Sequence, residues 1–330
     1  ATTGDIFPPM TPAYYSPFIQ PKEEIVKRRS ETRSARLQFR QDSYRIEPKY
    51  KGNQAELDTV SNSIALVKDN DDLTITGIYV TGYASPEGTF AYNMKLSERR
   101  AKAFTEYMKD DLKAIDPQLY HVDWKGEDWV GLREEVVKCS DLPKREEVLD
   151  IIDHCGDDKD ACEKQLKALV PPTIYQYLLK ELYPAVRRNE YRIEYNVRHF
   201  TVEEGREMIK NHPELMSVSE IQQVADSYGK GSPEYVNCLV SGVKAYPNDV
   251  TAVNNAALAL MEANRTDEAI RLLDNVPAEG ELLNMKGVVY VKAGNLEKAV
   301  QAFSEAQAKG YSQAGENLTQ LKQYMEYMAE

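Results

Sequence analysis

An asparagine and an arginine at helical spacing are the residues best placed to do chemistry in this chain of 330 residues. Asn93 and Arg100 are seven residues apart, nearly two helical turns, so their side chains lie on one helix face. We expect that face to point at the loop 85–88, of sequence SPEG, beside a helix N-terminus that favours anions. The predicted ligand-binding residues are Tyr83, Ser85, Glu87, Asn93 and Arg100.

Structural roles are the alternative for the same side chains. Arg100 could form an ion pair between helix and sheet, and Asn93 could hydrogen-bond the loop from the start of the helix. Backbone geometry is a simpler explanation for Gly82 and Gly88 than contact with a ligand.

An α/β pattern surrounds these residues. Ala35, Leu37 and Phe39 alternate with polar residues, which predicts a half-buried strand. An apolar stripe from Leu57 to Val67 predicts an amphipathic helix. The later predicted elements are a strand at 73–83, a helix at 90–109, a strand at 121–124, a helical insert at about 131–186 and a final strand at 191–197.

The segment TGYASPEGTFAYNMKLSERRAKAFTEYM, residues 81–108, resembles the OmpA-like peptidoglycan-associating family. The residues at matching spacing are Gly82, Tyr83, Gly88, Asn93, Leu96, Ser97, Arg100 and Ala101. The stretches LQFRQDSYRIEP, WKGEDW and RRNEYRIEYNV extend the similarity over about 34–200, apart from the insert. The SPEG loop and the tandem with helical repeats look like envelope proteins of Bacteroides-type bacteria.

This resemblance implies a site for the diaminopimelate residue of the peptidoglycan peptide. In the family, a helix arginine binds a carboxylate and the Asp of a GYTD motif holds an ammonium, so both charges are needed. Here Ser85 occupies the Asp position and cannot neutralise an ammonium. Glu87, two residues later, could do so if the loop is displaced.

Residues 201–330 are predicted to be helical and contain an internal repeat. Ala257 and Ala269 match Gly287 and Ala299 at a register shift of 287 − 257 = 30 residues. The other equivalent pairs are Val253 with Leu283, Leu260 with Tyr290, and Ile270 with Val300. Small residues let two helices approach closely, so the region is similar to tetratricopeptide repeats, with roughly three helix pairs. Such solenoids usually hold a protein partner on a concave face.

Residues 1–33 are rich in Pro and Tyr and predict an extended linker lying on or leading into the first domain. Tyr14, Tyr15 and Phe18 could form a ligand platform, but packing on that next domain is the simpler interpretation. The chain starts at Ala1 without an initiator Met, so we expect it to be processed or excised from a longer protein.

Composition excludes several classes of function. A formal net charge of −12 makes nucleic acid and anionic membranes poor partners. No apolar run approaches the length of a membrane span. None of the four cysteines forms a CxxC pair. Cys155 and Cys162 could form a disulfide or remain two free buried thiols, and we expect neither a metal nor a cofactor.

An enzyme is the remaining alternative. Asp123, Glu127 and Asp128 lie beside Trp124 and Trp129, as in a glycosidase with stacking aromatics. A solvated turn over packed tryptophan rings explains this acidic group as well. The chain has four histidines, which leaves few candidates for acid–base catalysis.

Together these observations predict an α+β fold: an OmpA-like domain at 34–200 followed by a helical repeat domain at 201–330. The predicted function is non-catalytic docking on peptidoglycan, with a protein partner on the repeats. The expected location is the cell envelope, on the periplasmic side of the outer membrane. The alternatives are a protein–protein module of an outer-membrane or surface-appendage assembly, and a glycan hydrolase using Glu127 or Glu87.

Overall fold

The computed structural model describes residues 12–330, which divide into two compact units. The sheet unit is Arg28–Arg198. The helical unit joins residues 12–27 to His199–Glu330. The chain therefore enters the helical unit, leaves it for the sheet unit, and returns.

The sheet unit contains four strands and two long helices ahead of the last strand. They are β1 Lys27–Ala35, α1 Asn53–Lys68, β2 Leu73–Ala84, α2 Phe90–Asp111, β3 Tyr120–Glu127 and β4 Arg188–Val197. The strand order is β1-β4-β2-β3, with β2 parallel to β3 and antiparallel to β4. Except for β1, the elements lie where the apolar patterns predict them.

The core of the sheet unit forms where α1 and α2 cover the sheet. Ile78 and Val80 of β2 are buried, and Phe104 of α2 lies 6.2 Å from the Tyr191 ring of β4, centroid to centroid. Gly82 allows α2 to approach closely, because a Cβ there would lie 2.5 Å from the Ser97 carbonyl oxygen. Backbone packing accounts for this glycine, as the structural alternative expected.

The first strand differs from the prediction. The alternating stretch 35–39 is not a strand beyond Ala35, and β1 covers the polar residues KRRSETRSA instead. β1 lies at the edge of the sheet, where polar side chains are tolerated and no apolar alternation is required. Leu37 is nevertheless buried, which explains the apolar pattern. β1 also begins inside the predicted linker 1–33, of which residues 1–11 lie outside the described residues.

The insert before β4 is helical, as predicted, and has its own core, which includes Leu132, Leu166 and Tyr183. Its helices are α3 Trp129–Lys138, α4 Arg145–Asp153, α5 Lys159–Lys167, α6 Thr173–Tyr177 and α7 Tyr183–Val186. Cys155, in the turn that follows α4, forms a disulfide with Cys162 of α5. Cys139 is a free thiol, as is the buried Cys238 of the helical unit.

The helical unit consists of successive helices that pack on one another. They are α8 Val202–Asn211, α9 Val218–Asp226, α10 Pro233–Ala245, α11 Val250–Glu262, α12 Thr266–Asp274, α13 Gly280–Lys292, α14 Leu296–Ala308 and α15 Ser312–Ala329. The small residue Gly287 lies against Phe303, since a Cβ there would be 2.5 Å from that ring. Within residues 12–330, no helix combines the length and apolarity needed to cross a bilayer.

The segment 12–27 is extended and belongs to the helical unit. Tyr14 stacks on Phe303 with ring centroids 5.9 Å apart, and the Tyr15 backbone bonds to Asn317. The expectation that these tyrosines pack on the domain that follows them is therefore wrong. Their partners are about 300 residues away in sequence, so no local pattern reveals them.

Candidate functional site

Four of the five predicted site residues line one open cleft of the sheet unit. Ser85 and Glu87 come from the loop after β2, and Asn93 and Arg100 come from α2. The wall is completed by Phe39, Arg40, Asp42, Tyr50, Lys51, Tyr92 and Arg187, among others. Tyr83 lies in an adjoining pocket that shares Arg100 and Arg187 with the cleft.

Arg100 is half-buried in the wall of the cleft. Its Nε donates to the Ser43 carbonyl oxygen at 3.2 Å, and its guanidinium lies 4.4 Å from the centroid of the Phe39 ring. Burial, and then the neighbouring Arg187, lower the pKa of Arg100 to about 10, so the group is still charged at neutral pH. Within residues 12–330 it forms no ion pair, in contrast to the predicted structural alternative.

Arg187 is a second cation of the cleft, and it was not among the predicted site residues. It comes from the residue before β4 and pairs with Glu87 at 3.4 Å, with both side chains more than a third exposed. The doublet Arg187-Arg188 immediately before the final strand is the signal that could have found it. Two guanidiniums in one wall give the cleft a group type that can bind a carboxylate or another small anion.

Asn93 holds the loop in place. It is 2% exposed, and its amide nitrogen donates to the Glu87 carbonyl oxygen and to Glu127 Oε2, each at 2.6 Å. Gly88 in the same loop has a φ of +80°, a conformation that glycine adopts readily. The amide of Asn93 therefore shapes the cleft, as its structural alternative expected.

Carboxylates are present in the cleft as well. Glu87 is partly exposed, and Asp42 accepts a hydrogen bond from the Tyr92 hydroxyl. Ser85 is 3% exposed and neutral, at the position to which the sequence resemblance assigns an Asp. The cleft thus carries both charges, with the negative ones at Glu87 and Asp42 rather than at residue 85.

Tyr83 is covered by a cation rather than open to the cleft. The Arg188 guanidinium lies 4.2 Å from its ring centroid and is itself paired with Asp128 at 2.9 Å. Burial, followed by nearby Glu190, raises the pKa of the Tyr83 hydroxyl.

The acidic group beside the tryptophans is engaged within the fold. Glu127 is 7% exposed, and its carboxylate accepts from Trp129 Nε1 at 3.0 Å as well as from Asn93. Burial raises its pKa, which the two hydrogen bonds partly offset. Asp123 is exposed and pairs with Lys125 at 3.1 Å. This arrangement is a buried structural carboxylate next to a solvated one, and it does not favour the hydrolase alternative.

Two comparisons with known proteins bear on the cleft. Residues 38–131 match the model of the OmpA family. A stretch of 50 residues is 46% identical to outer membrane protein 41 of Porphyromonas gingivalis, covering 15% of this chain and 12% of that protein. The matched family region includes the loop 85–88 and the whole of α2, but neither Arg187 nor the helical unit.

Proposed function

We propose that the chain, through the OmpA-family domain at residues 38–131, is a non-catalytic binding protein that docks on the peptide of peptidoglycan. The observation that carries this proposal is the half-buried guanidinium of Arg100 in an open cleft, without an ion-pair partner among residues 12–330. A partly buried cation of this kind is stabilised by an anionic ligand.

The charges of the cleft fit a zwitterionic amino acid such as diaminopimelate. Arg100 and Arg187 would receive its carboxylate, and Glu87 and Asp42 would receive its ammonium. Glu87 takes the place of the family Asp because its side chain already lies at the cleft and pairs with a cation there. The ligand would compete with the Arg187–Glu87 pair for both charges.

A pull-down of the full chain with purified sacculi tests this proposal. Arg100→Ala should lose most of the bound fraction. Arg99→Ala is the matched control, since Arg99 is the exposed neighbour on the same helix and does not line the cleft. Equal binding by wild type and Arg100→Ala would reject Arg100 as the anion site.

A pure protein–protein module is the second candidate, and the neutral Ser85 favours it. Under this alternative neither wild type nor variant would bind sacculi. In both cases we propose an envelope location on the periplasmic side of the outer membrane. We also propose that the helical unit is a tetratricopeptide-like array that holds a polypeptide partner, which would make the chain a scaffold.

A further inference from the structure

Four buried asparagines of the helical unit bind the extended segment at residues 15–19. We call them the amide ladder: Asn254 and Asn255 of α11, Asn284 of α13 and Asn317 of α15. Each is at most 2% exposed. They lie on alternate helices, and Asn254 and Asn284 are 284 − 254 = 30 residues apart, the same register that relates the repeats.

The ladder contacts the main chain of the segment rather than its side chains. Asn255 accepts from Ile19 N at 2.9 Å and donates to Ile19 O at 2.7 Å. Asn317 does the same with Tyr15, accepting from N at 2.9 Å and donating to O at 3.0 Å. A residue held through both its N–H and its C=O by one amide must be extended, as in a β-ladder.

The remaining amides complete the pattern. Asn284 donates to Tyr15 O at 2.8 Å, and Asn254 donates to Pro17 O at 2.9 Å. The bound residues are therefore 15, 17 and 19, every second residue of an extended strand. Asn317 also donates to Asn284 Oδ1 at 2.8 Å, so neighbouring rungs support each other.

We infer that the amide ladder is a binding site for an extended polypeptide, and that it accepts residues 12–21 of a second copy of this chain as well as its own. Main-chain recognition does not depend on which molecule supplies the strand. A second copy offers the same backbone, together with the same Tyr14 ring for Phe303. Exchange replaces each contact by an identical one, which makes a swapped dimer accessible at low cost.

The residues that follow the segment support exchange. Between the ladder and the buried anchor Lys27 the chain is mostly exposed, with Ile25 78% and Val26 46% accessible. The Ile25 carbonyl is held by His199 Nε2 at 2.7 Å, so the hinge over which the strand leaves its own groove lies ahead of it, where Lys22 and Glu23 are exposed. This inference concerns the helical unit only and does not depend on the proposed wall site.

Two complementary variants test the inference in the full chain. Tyr15→Pro/Ile19→Pro removes the two segment N–H donors and leaves every groove residue intact. Asn255→Leu/Asn317→Leu disables the groove and leaves the segment intact. Mixed in equal amounts, they should form a heterodimer in which the intact segment occupies the intact groove, detected by native mass spectrometry. The inference is overturned if both remain monomeric in the mixture while circular dichroism shows them folded.

A peptide experiment measures the groove directly. The probe is a fluorescent peptide of residues 12–21, of sequence PAYYSPFIQP. Its Kd for Tyr15→Pro/Ile19→Pro should be at least about tenfold lower than its Kd for wild type. In wild type the tethered segment competes with the peptide at an effective concentration of about millimolar. Ala13→Pro is the control. Ala13 is exposed and makes no ladder contact, so this variant should bind the peptide with the same affinity as wild type. Equal affinity for all three chains would contradict a peptide site.

Discussion

The cleft of the sheet unit and the groove of the helical unit are built from opposite chemistry. In the cleft a half-buried charge has hydrogen-bonding capacity left for a ligand, since the one hydrogen bond found for Arg100 within the described residues is to Ser43. In the groove neutral amides are almost fully buried, and each bonds to the chain's own segment. The Arg100 side chain in the cleft retains unused hydrogen-bonding capacity, whereas the amides of the groove use theirs within the fold. Substitutions in the groove should therefore cost stability, and substitutions in the cleft should cost binding.

The largest loss is expected at the anchor of the segment. Lys27 is fully buried, and its Nζ pairs with Glu220 at 2.8 Å. Lys27→Met should lower the free energy of unfolding by about 3–5 kcal/mol, because it leaves the buried Glu220 carboxylate without its opposite charge. Urea titration followed by circular dichroism measures this, and the exposed Lys22→Met serves as control. A loss below that of the control plus about 1 kcal/mol would contradict the anchor role.

The same pair sets a pH dependence. Burial raises the pKa of Glu220, but the hydrogen bonds from Lys27 and from the backbone outweigh it, and the net pKa is lowered from 4.5. Stability from a lowered carboxyl pKa is present above the unfolded value and disappears as pH falls through the folded value. The difference between wild type and Lys27→Met should therefore shrink as the pH falls below 4.5.

A smaller loss is expected in the ladder itself. Asn255→Ala removes both bonds to Ile19 and should cost about 2 kcal/mol, because the groups left behind are partly buried. The exposed Asn275→Ala is the matched control and should change stability by less than about 0.5 kcal/mol. Both tryptophans lie in the sheet unit, so their fluorescence should report little change while circular dichroism shifts. A ladder variant as stable as the control would mean that the segment adds nothing to the unit.

Within the cleft, substitutions of Asn93 and of Arg100 should have different effects on stability and binding. Asn93→Ala should cost about 1–2 kcal/mol of stability and raise the pKa of Glu127 further, because one of the bonds that holds it down is lost. Arg100→Ala should cost less stability and instead remove most of the proposed binding to sacculi. Carboxyl NMR titration of Glu127 and urea unfolding measure the two effects. The reverse order of stability losses would contradict the division between a residue that shapes the cleft and one that binds.

The smallest effect is expected at the rim of the cleft. Glu87→Gln breaks the pair with Arg187, and both side chains are more than a third exposed, so stability should change by less than about 1 kcal/mol. The change should disappear at 1 M salt, where the screening length is about 3 Å. A loss that persists in high salt would show that the pair is structurally required.

Much of the sheet unit could be predicted from local sequence. The β-branched run at 73–83 and the apolar stripe from Leu57 are strong periodic signals, and β2 and α1 lie there. The spacing of Asn93 and Arg100 placed both at one cleft. β1 escaped prediction because an edge strand does not need apolar alternation.

The rest depends on contacts that are distant in sequence. Arg187 reaches the cleft only because the strand order places β4 beside β2. The amide ladder had a weak local signal, namely asparagines at equivalent positions within apolar helices, in VNNAALAL and LLNMKGVV. What they bind could not be read from spacing, since Tyr15 and Asn317 are 302 residues apart.

The route of the chain places the sheet unit, residues 28–198, between two stretches of sequence that together form the helical unit. The flanks of residues 28–198 meet inside the helical unit, where His199 Nε2 and the Ile25 carbonyl oxygen lie 2.7 Å apart. A deletion that removes these residues and rejoins the flanks through a few glycines should therefore leave a shorter protein in which the helical unit still folds. By the same logic, an unrelated cargo domain with neighbouring termini could be spliced in at this point.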